Sequence, residues 1–177
     1  MIRMSNKRIV DTNVAMLANR AIDPTLPDDL IDCAERCIDA IAEATVIGRL
    51  VLDAGDEIFD EYRQNLSLRG QPGQGDRFMK WVHDNRHSLP VEDRVKITKA
   101  GDSYEEFPDH PVLKDFDLSD RKFVAVANAH TGTPSFLEAT DSKWWGWKGA
   151  LAEAGIDVSF VCEDWIRNKH HQKEKTS

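Results

Sequence analysis

Four acidic residues, Asp11, Glu61, Asp120 and Asp141, stand where an α/β chain would gather them on one rim. Asp11 directly follows the short apolar run Arg8-Ile9-Val10, and packing alone seldom places an acid at such a strand end. Asp141 closes a later run, Phe136 to Thr140, and Asp120 falls in the first turn of the helix that precedes that run. Glu61 lies on the second turn of a helix after Leu50-Val51-Leu52, where a longer side chain still reaches inward. In a parallel sheet, ligands bind beyond the carboxyl ends of the strands, and crossover helices begin at that same edge. Four carboxylates there repel one another unless a cation joins them. A hard divalent ion with oxygen ligands, Mg²⁺ or Mn²⁺, meets that need. Glu57 sits one helical turn before Glu61 and is an equal candidate by spacing.

The elements that must position these acids follow from periodicity. Residues 8–10 read as a strand, and 28–47 as a helix, with Leu30, Ala34, Cys37, Ile38, Ile41 and Thr45 at helical spacing and Gly48 as its stop. Residues 50–52 read as a second strand, followed after Gly55 by a helix to about Leu66 with the stripe Ile58, Tyr62, Leu66. Ser119 reads as the N-cap of a helix that buries Phe123, Val126, Ala127 and His130 and closes at Gly132. A third strand opens at Phe136-Leu137, residues 147–154 form a helix ended by Gly155, and Val158–Val161 form a last buried strand. Alternating strands and helices predict an α/β fold with a mostly parallel central sheet. The stretch 67–117 reads as an insertion or cap. It holds a flexible Gly/Pro loop at 69–75, an amphipathic piece with Phe78, Trp81 and Val82, a strand near Arg94–Thr98 and a loop from Asp102 to His110. One domain is expected over residues 1–166, with a basic, flexible tail at 167–177.

With these elements in place, a family resemblance emerges. Arg8-Ile9-Val10-Asp11-Thr12-Asn13 resembles the opening strand of PIN-domain nucleases. Glu57 to Arg63, with Glu61 ahead of Tyr62-Arg63, resembles the family's second motif. Asp120 leading the alanine-rich helix 121–127 resembles the third, and Leu137-Glu138-Ala139-Thr140-Asp141 the fourth. The four occur in family order across residues 8–161, and none falls in 67–117. The resemblance implies an α/β/α sandwich that hydrolyses phosphodiester bonds, most often in single-stranded RNA, leaving a 5′-phosphate and a 3′-hydroxyl. Asp11, Asp120 and Asp141 would then hold Mg²⁺ or Mn²⁺, which acidifies a bound water and offsets charge on the phosphate. Glu61 would be a further ligand or would orient the attacking water, with Asn13, Ser119 and Thr140 holding the carboxylates in place. RNA is the implied partner, DNA the other polymer, and an antitoxin-like protein and a second copy of the chain are further partners the resemblance suggests. One departure stands out: Glu138 interrupts a strand that is usually apolar, and so predicts a sheet edge.

Charge runs against a simple nucleic-acid protein. Lysine and arginine number 23 against 31 aspartates and glutamates, a net of −8, so the overall field repels a polyanion. Local contacts would have to come from Arg121, Lys122 and Lys143, with Trp144 and Trp145 stacking bases, although a tryptophan here also suits the core. The three cysteines, Cys33, Cys37 and Cys162, are too few for a disulfide scaffold and fit a reduced cytoplasm. The pairs Cys33/Cys37 and His83/His87 have zinc-compatible spacing, but Cys37 lies on an apolar stripe and reads as core. No apolar run approaches the ~20 residues of a membrane helix, and the N-terminus has no signal-type apolar region. A hydrophobic share of 41% with 31% charged residues is that of a globular chain.

Two rivals come from other classes. A haloacid-dehalogenase-type phosphatase also opens with an apolar strand and a nucleophilic aspartate, but its second acid should stand where this chain has Asn13. A catalytically silent PIN-like binding module would keep the fold without the chemistry; all four acids are present, which gives no sign of decay.

Overall fold

The computed structural model describes residues 5–177. Its centre is a parallel sheet of β1 (Arg8–Val10), β6 (Ser135–Glu138) and β7 (Asp157–Phe160) in the order β1-β6-β7, with Val10 opposite Leu137 and Glu138 opposite Phe160. On the other side of β1, Arg8 bonds the backbone of Arg49 and Val51 and so links the sheet to the pair β2 (Leu52–Asp53) and β3 (Arg94–Val95), also parallel. Parallel strands joined by helices make the fold α/β, as the alternation predicts. Two strand assignments change places. Glu138 does not mark an edge, because β6 pairs on both sides, whereas β7, expected to be buried, is the half-exposed edge strand.

Helices α1 (Thr12–Asn19), α2 (Ile31–Ala44), α3 (Glu57–Asn65) and α4 (Gln74–Asn85) pack with one another, while α5 (Arg121–Ala129) and α6 (Lys143–Glu153) lie either side of β6 in the chain. The helix expected over 28–47 is a 3₁₀ turn at Asp28–Leu30 followed by α2, which stops at Thr45 rather than Gly48. Helix α6 begins at Lys143, four residues before the expected start, and takes in the tryptophan run. The tail 167–177 falls largely within α7 (Glu163–Thr176), whose one buried residue is Ile166.

The stretch 67–117 is stitched into the body. Phe78, Met79 and Val82 of α4 are buried, and Asp76 bonds Asn19, Ser67 and Gly73. Glycine at position 75 allows α4 to approach α1, since a Cβ there would collide with the Ala15 carbonyl. Within the loop 69–75, Gly73 and Gly75 are thus packed against α1, while Arg69, Gln71 and Pro72 stay exposed. Farther on, β4 (Lys99–Ala100) and β5 (Ser103–Tyr104) form a small antiparallel hairpin where a loop is expected. Buried Asp93 holds Lys7 at 2.6 Å and His130 at 2.9 Å, tying this stretch to the starts of β1 and β6.

The cysteines overturn the expectation of free thiols. Cys33 on α2 and Cys162 before α7 form a disulfide with Cα atoms 5.5 Å apart, across 129 residues of sequence. Cys37, one turn along α2, remains a buried thiol, and burial pushes its pKa up to about 12, helped by the charge of Glu138. Among the described residues no helix is long and apolar enough to cross a membrane.

Candidate metal centre

The site is built at the carboxyl ends of β1 and β6. Asp11 continues β1, its N–H bonding the Leu137 carbonyl at 3.0 Å, and its side chain caps α1 by accepting the Thr12 N–H at 2.8 Å. Because Val10 pairs with Leu137, the next residues along the two strands, Asp11 and Glu138, come side by side within hydrogen-bonding reach. Glu138 is fully buried. Its Oε1 accepts the Asn13 amide together with the N–H groups of Ala139 and Asp141, both at 3.0 Å, whereas Oε2 has no partner. The expected role of Asn13 thus falls on a different carboxylate, that of Glu138. Sequence reasoning missed this residue as a site group, though the signal was there: a lone acid inside an apolar strand, three residues before Asp141.

Glu61 reaches the same place from α3. The Tyr62 hydroxyl donates to the Val10 carbonyl and locks that helix to the end of β1. Asp53, a buried acid at the end of β2, caps α3 by accepting the N–H groups of Glu57 and Ile58. Glu61 accepts the Thr12 hydroxyl on one oxygen and the Lys122 ammonium, at 2.8 Å, on the other. Glu57 points elsewhere, to Lys99 at 3.1 Å, which separates the two candidates that spacing left equal.

Asp120 is the last residue of a 3₁₀ turn and stands at the start of α5. It accepts the indole N–H of Trp144 at 3.3 Å. Burial, then the charges of Asp11, Asp117, Asp141 and Glu61, lift its pKa to about 7. Asp11 is raised well above the carboxylate range by burial first and Glu138 second; Glu138 is raised by burial, against the pull of its hydrogen bonds with Asp11, the Asn13 amide and the Asp141 N–H. Asp141 is half-exposed, its backbone N–H on Glu138 and its side chain on the Lys143 N–H.

Several expected roles are corrected. Ser119 gives its hydroxyl and N–H to Asp117, not to a site acid, and the Thr140 hydroxyl bonds none of the acids. Arg121 is spent on the carbonyls of Lys114 and Phe116, the Ser103 hydroxyl and the Phe107 ring, stapling residues 103–116 to α5. Lys122 is buried against Glu61 and the Ser119 carbonyl. Trp144 is core, stacked on Phe136 at 4.2 Å. Trp145 packs on Phe160 under Lys148 and lines a groove of about 1010 Å³ with Arg8, Ser135 and Asp157, the opening residues of three strands and so the edge away from the acids. Of the expected substrate contacts, Lys143 alone stays exposed at the rim, 3.4 Å from Asp117.

Five carboxylates, Asp11, Glu61, Asp120, Glu138 and Asp141, therefore share one field with a single ammonium, that of Lys122, paired among them. Among the described residues no three of them bring oxygens within 4.8 Å of one another. A Mg²⁺ or Mn²⁺ here would therefore touch only one or two of these carboxylates directly and reach the others through water. The buried Glu138 oxygen without a partner fits either a proton shared with Asp11 or a bound cation. Comparison with protein-family profiles, with curated proteins and with solved structures finds no match.

Proposed function

We propose that this chain is a divalent-metal-dependent nuclease with a PIN-like α/β/α sandwich, cutting phosphodiester bonds in single-stranded RNA. The observation that carries the reading is the convergence of Asp11, Glu61, Asp120 and Asp141 from four separate elements on the carboxyl edge of a parallel sheet. A bound Mg²⁺ or Mn²⁺ would acidify a water and offset charge on the scissile phosphate. Asp11, Asp120 and Asp141 would hold the ion, directly or through bound water. Glu61, fixed by Thr12 and Lys122, orients the attacking water. Trp144 fixes the carboxylate of Asp120, and Lys143 meets the phosphate backbone at the rim. An antitoxin-like protein and a second copy of the chain enter as partners on the resemblance alone.

The test is cleavage of end-labelled single-stranded RNA and DNA with Mn²⁺, Mg²⁺ or EDTA, comparing wild type with Asp11→Asn. Cutting of RNA that needs metal and is lost in the variant supports the reading. A covalent phosphoryl group on Asp11 would point instead to an aspartate-nucleophile phosphatase. Absence of both cutting and Mn²⁺ binding would leave a silent binding module.

A further inference from the structure

The sulfur cluster holds one atom more than a disulfide uses. Cys33 and Cys37 stand one turn apart on the same face of α2, and Cys162 meets them from the start of α7. The three sulfur atoms all lie within 4.8 Å of one another, and among the described residues no fourth cysteine, histidine or carboxylate joins them. Bonds of ~2.3 Å to one central atom put three sulfurs ~4 Å apart, so a single atom can bridge this set with little movement. The placement of the sulfurs does not depend on the Cys33–Cys162 bond. Val161 donates its N–H to the Glu138 carbonyl at 2.9 Å and fixes Cys162 to the central sheet. The Trp165 indole N–H donates to Asp29 at 3.0 Å and holds α7 against the turn that precedes α2.

Burial restricts what the set can hold. Cys37 is wholly buried, and Cys33 and Cys162 keep only 4% of their surface. Three thiolates around a divalent ion carry a net charge of −1, and around Cu⁺ a net charge of −2, within reach of the Glu138 carboxylate and almost out of reach of water. The same surroundings keep Cys37 a thiol, its pKa pushed up to about 12, so giving up protons to solvent is costly here. A trivalent centre leaves three thiolates with no net charge at all.

We infer that Cys33, Cys37 and Cys162, once reduced, form a three-sulfur site for a trivalent thiophilic metalloid, of which arsenite is the simplest. A dithiol reductant opens the Cys33–Cys162 bond, leaving two thiols on the protein and closing to a disulfide itself. As(OH)₃ then exchanges three As–O bonds for three As–S bonds. Each thiol proton leaves with a hydroxide as water, three in all, and the arsenic stays trivalent, so neither a base nor a counter-ion is needed. Entry is past α7, whose one buried residue is Ile166 and which reduction frees from its covalent tie to α2. The site is separate from the acid cluster and does not rest on the nuclease reading.

The test uses the full chain reduced with a phosphine, desalted without oxygen, titrated with sodium arsenite at neutral pH and read by native mass spectrometry. The reduced protein should take up one arsenic with loss of three hydrogens, the mark of three As–S bonds, and the oxidised protein should take up none. Cys37→Ser should lose only two hydrogens, keep an As–OH group and bind at least about tenfold more weakly. Should that variant fail to fold, the mass of the wild-type adduct decides by itself. No adduct, an adduct with two As–S bonds, or equal uptake by the oxidised protein overturns the inference. So does an equimolar competition in which the reduced cysteines take Zn²⁺ in preference to arsenite, because a net charge would then be tolerated there.

Discussion

Two clusters of ionisable side chains lie buried in this molecule, close enough for the charge of Glu138 to act on Cys37, and they are finished to different degrees. In the sulfur cluster two thiols are consumed in the Cys33–Cys162 bond, and the third stays protonated, its pKa near 12. A neutral thiol tolerates an apolar site, so nothing there is owed a partner. The acid cluster has the same burial with the opposite outcome. Five carboxylates face one ammonium, one oxygen has no donor, and three of the groups are pushed toward their neutral forms. Packing explains the first cluster completely. It does not explain the second, whose carboxylates either share protons or, on the reading proposed above, meet a cation.

That contrast breaks most sharply in the rate of cleavage. Asp11→Asn should lower metal-dependent cutting at least about 10³-fold, roughly 4 kcal/mol of transition-state stabilisation, while Cys37→Ala should leave it within about threefold. Single-turnover assays on both variants decide it. Comparable losses in the two would mean that the acids matter only as core.

The sulfur cluster should dominate in stability instead. Reducing the Cys33–Cys162 bond frees a loop of more than a hundred residues and should lower unfolding free energy by about 3 kcal/mol. Urea melts with and without a phosphine reductant measure this, and the Cys33→Ala variant should match the reduced wild type apart from the small cavity it leaves.

The acid cluster should then appear in the pH dependence of those melts. Asp120 titrates near 7 when folded and near its ordinary 3.8 when unfolded, so the metal-free folded state holds its proton more tightly. Stability contributed by that proton is present below about pH 4 and lost as pH rises to about 7, with Asp11 and Glu138 acting in the same direction. We expect a fall of about 2 kcal/mol across that window, less than the full linkage value because Asp120 is partly solvated. Mn²⁺ at a hundredfold excess over its dissociation constant should restore about 2.7 kcal/mol at pH 8. A protein that gains stability with pH in EDTA would contradict the raised values.

The sequence carried the edge but not the layering behind it. Asp11, Glu61 and Asp120 are legible because each follows a recognisable local signal, a strand end or a helix start, and such signals depend on neighbours in the chain. Glu138 was misread for a tertiary reason: whether a polar residue in a strand marks an edge depends on which strands flank it, and β6 acquires its second neighbour from β7, some twenty residues later. The disulfide is equally non-local, and a count of three cysteines says nothing about which helices meet. Arg121 and Lys122 looked free because sequence shows charge but not the carbonyls and carboxylates that occupy it. The glycines near position 75 looked loose for the same reason, since the backbone they admit belongs to α1.

The finest test of the contrast is Trp144, which belongs to both categories: its ring is core, and its N–H serves the acids. Trp144→Phe keeps most of the stack on Phe136 and removes the 3.3 Å donor to Asp120. The smaller ring should lower stability by about 1 kcal/mol, as any core truncation would. A purely packing role predicts nothing more. Loss of a donor to a carboxylate also disfavours its charged form, so the pKa of Asp120 should rise further. The acid limb of the pH profile for Mn²⁺ binding should therefore move to higher pH in Trp144→Phe and stay in place in Cys37→Ala, even where the two variants lose equal stability. An unmoved limb in both would assign Trp144 wholly to the core and leave Asp120 oriented by α5 alone.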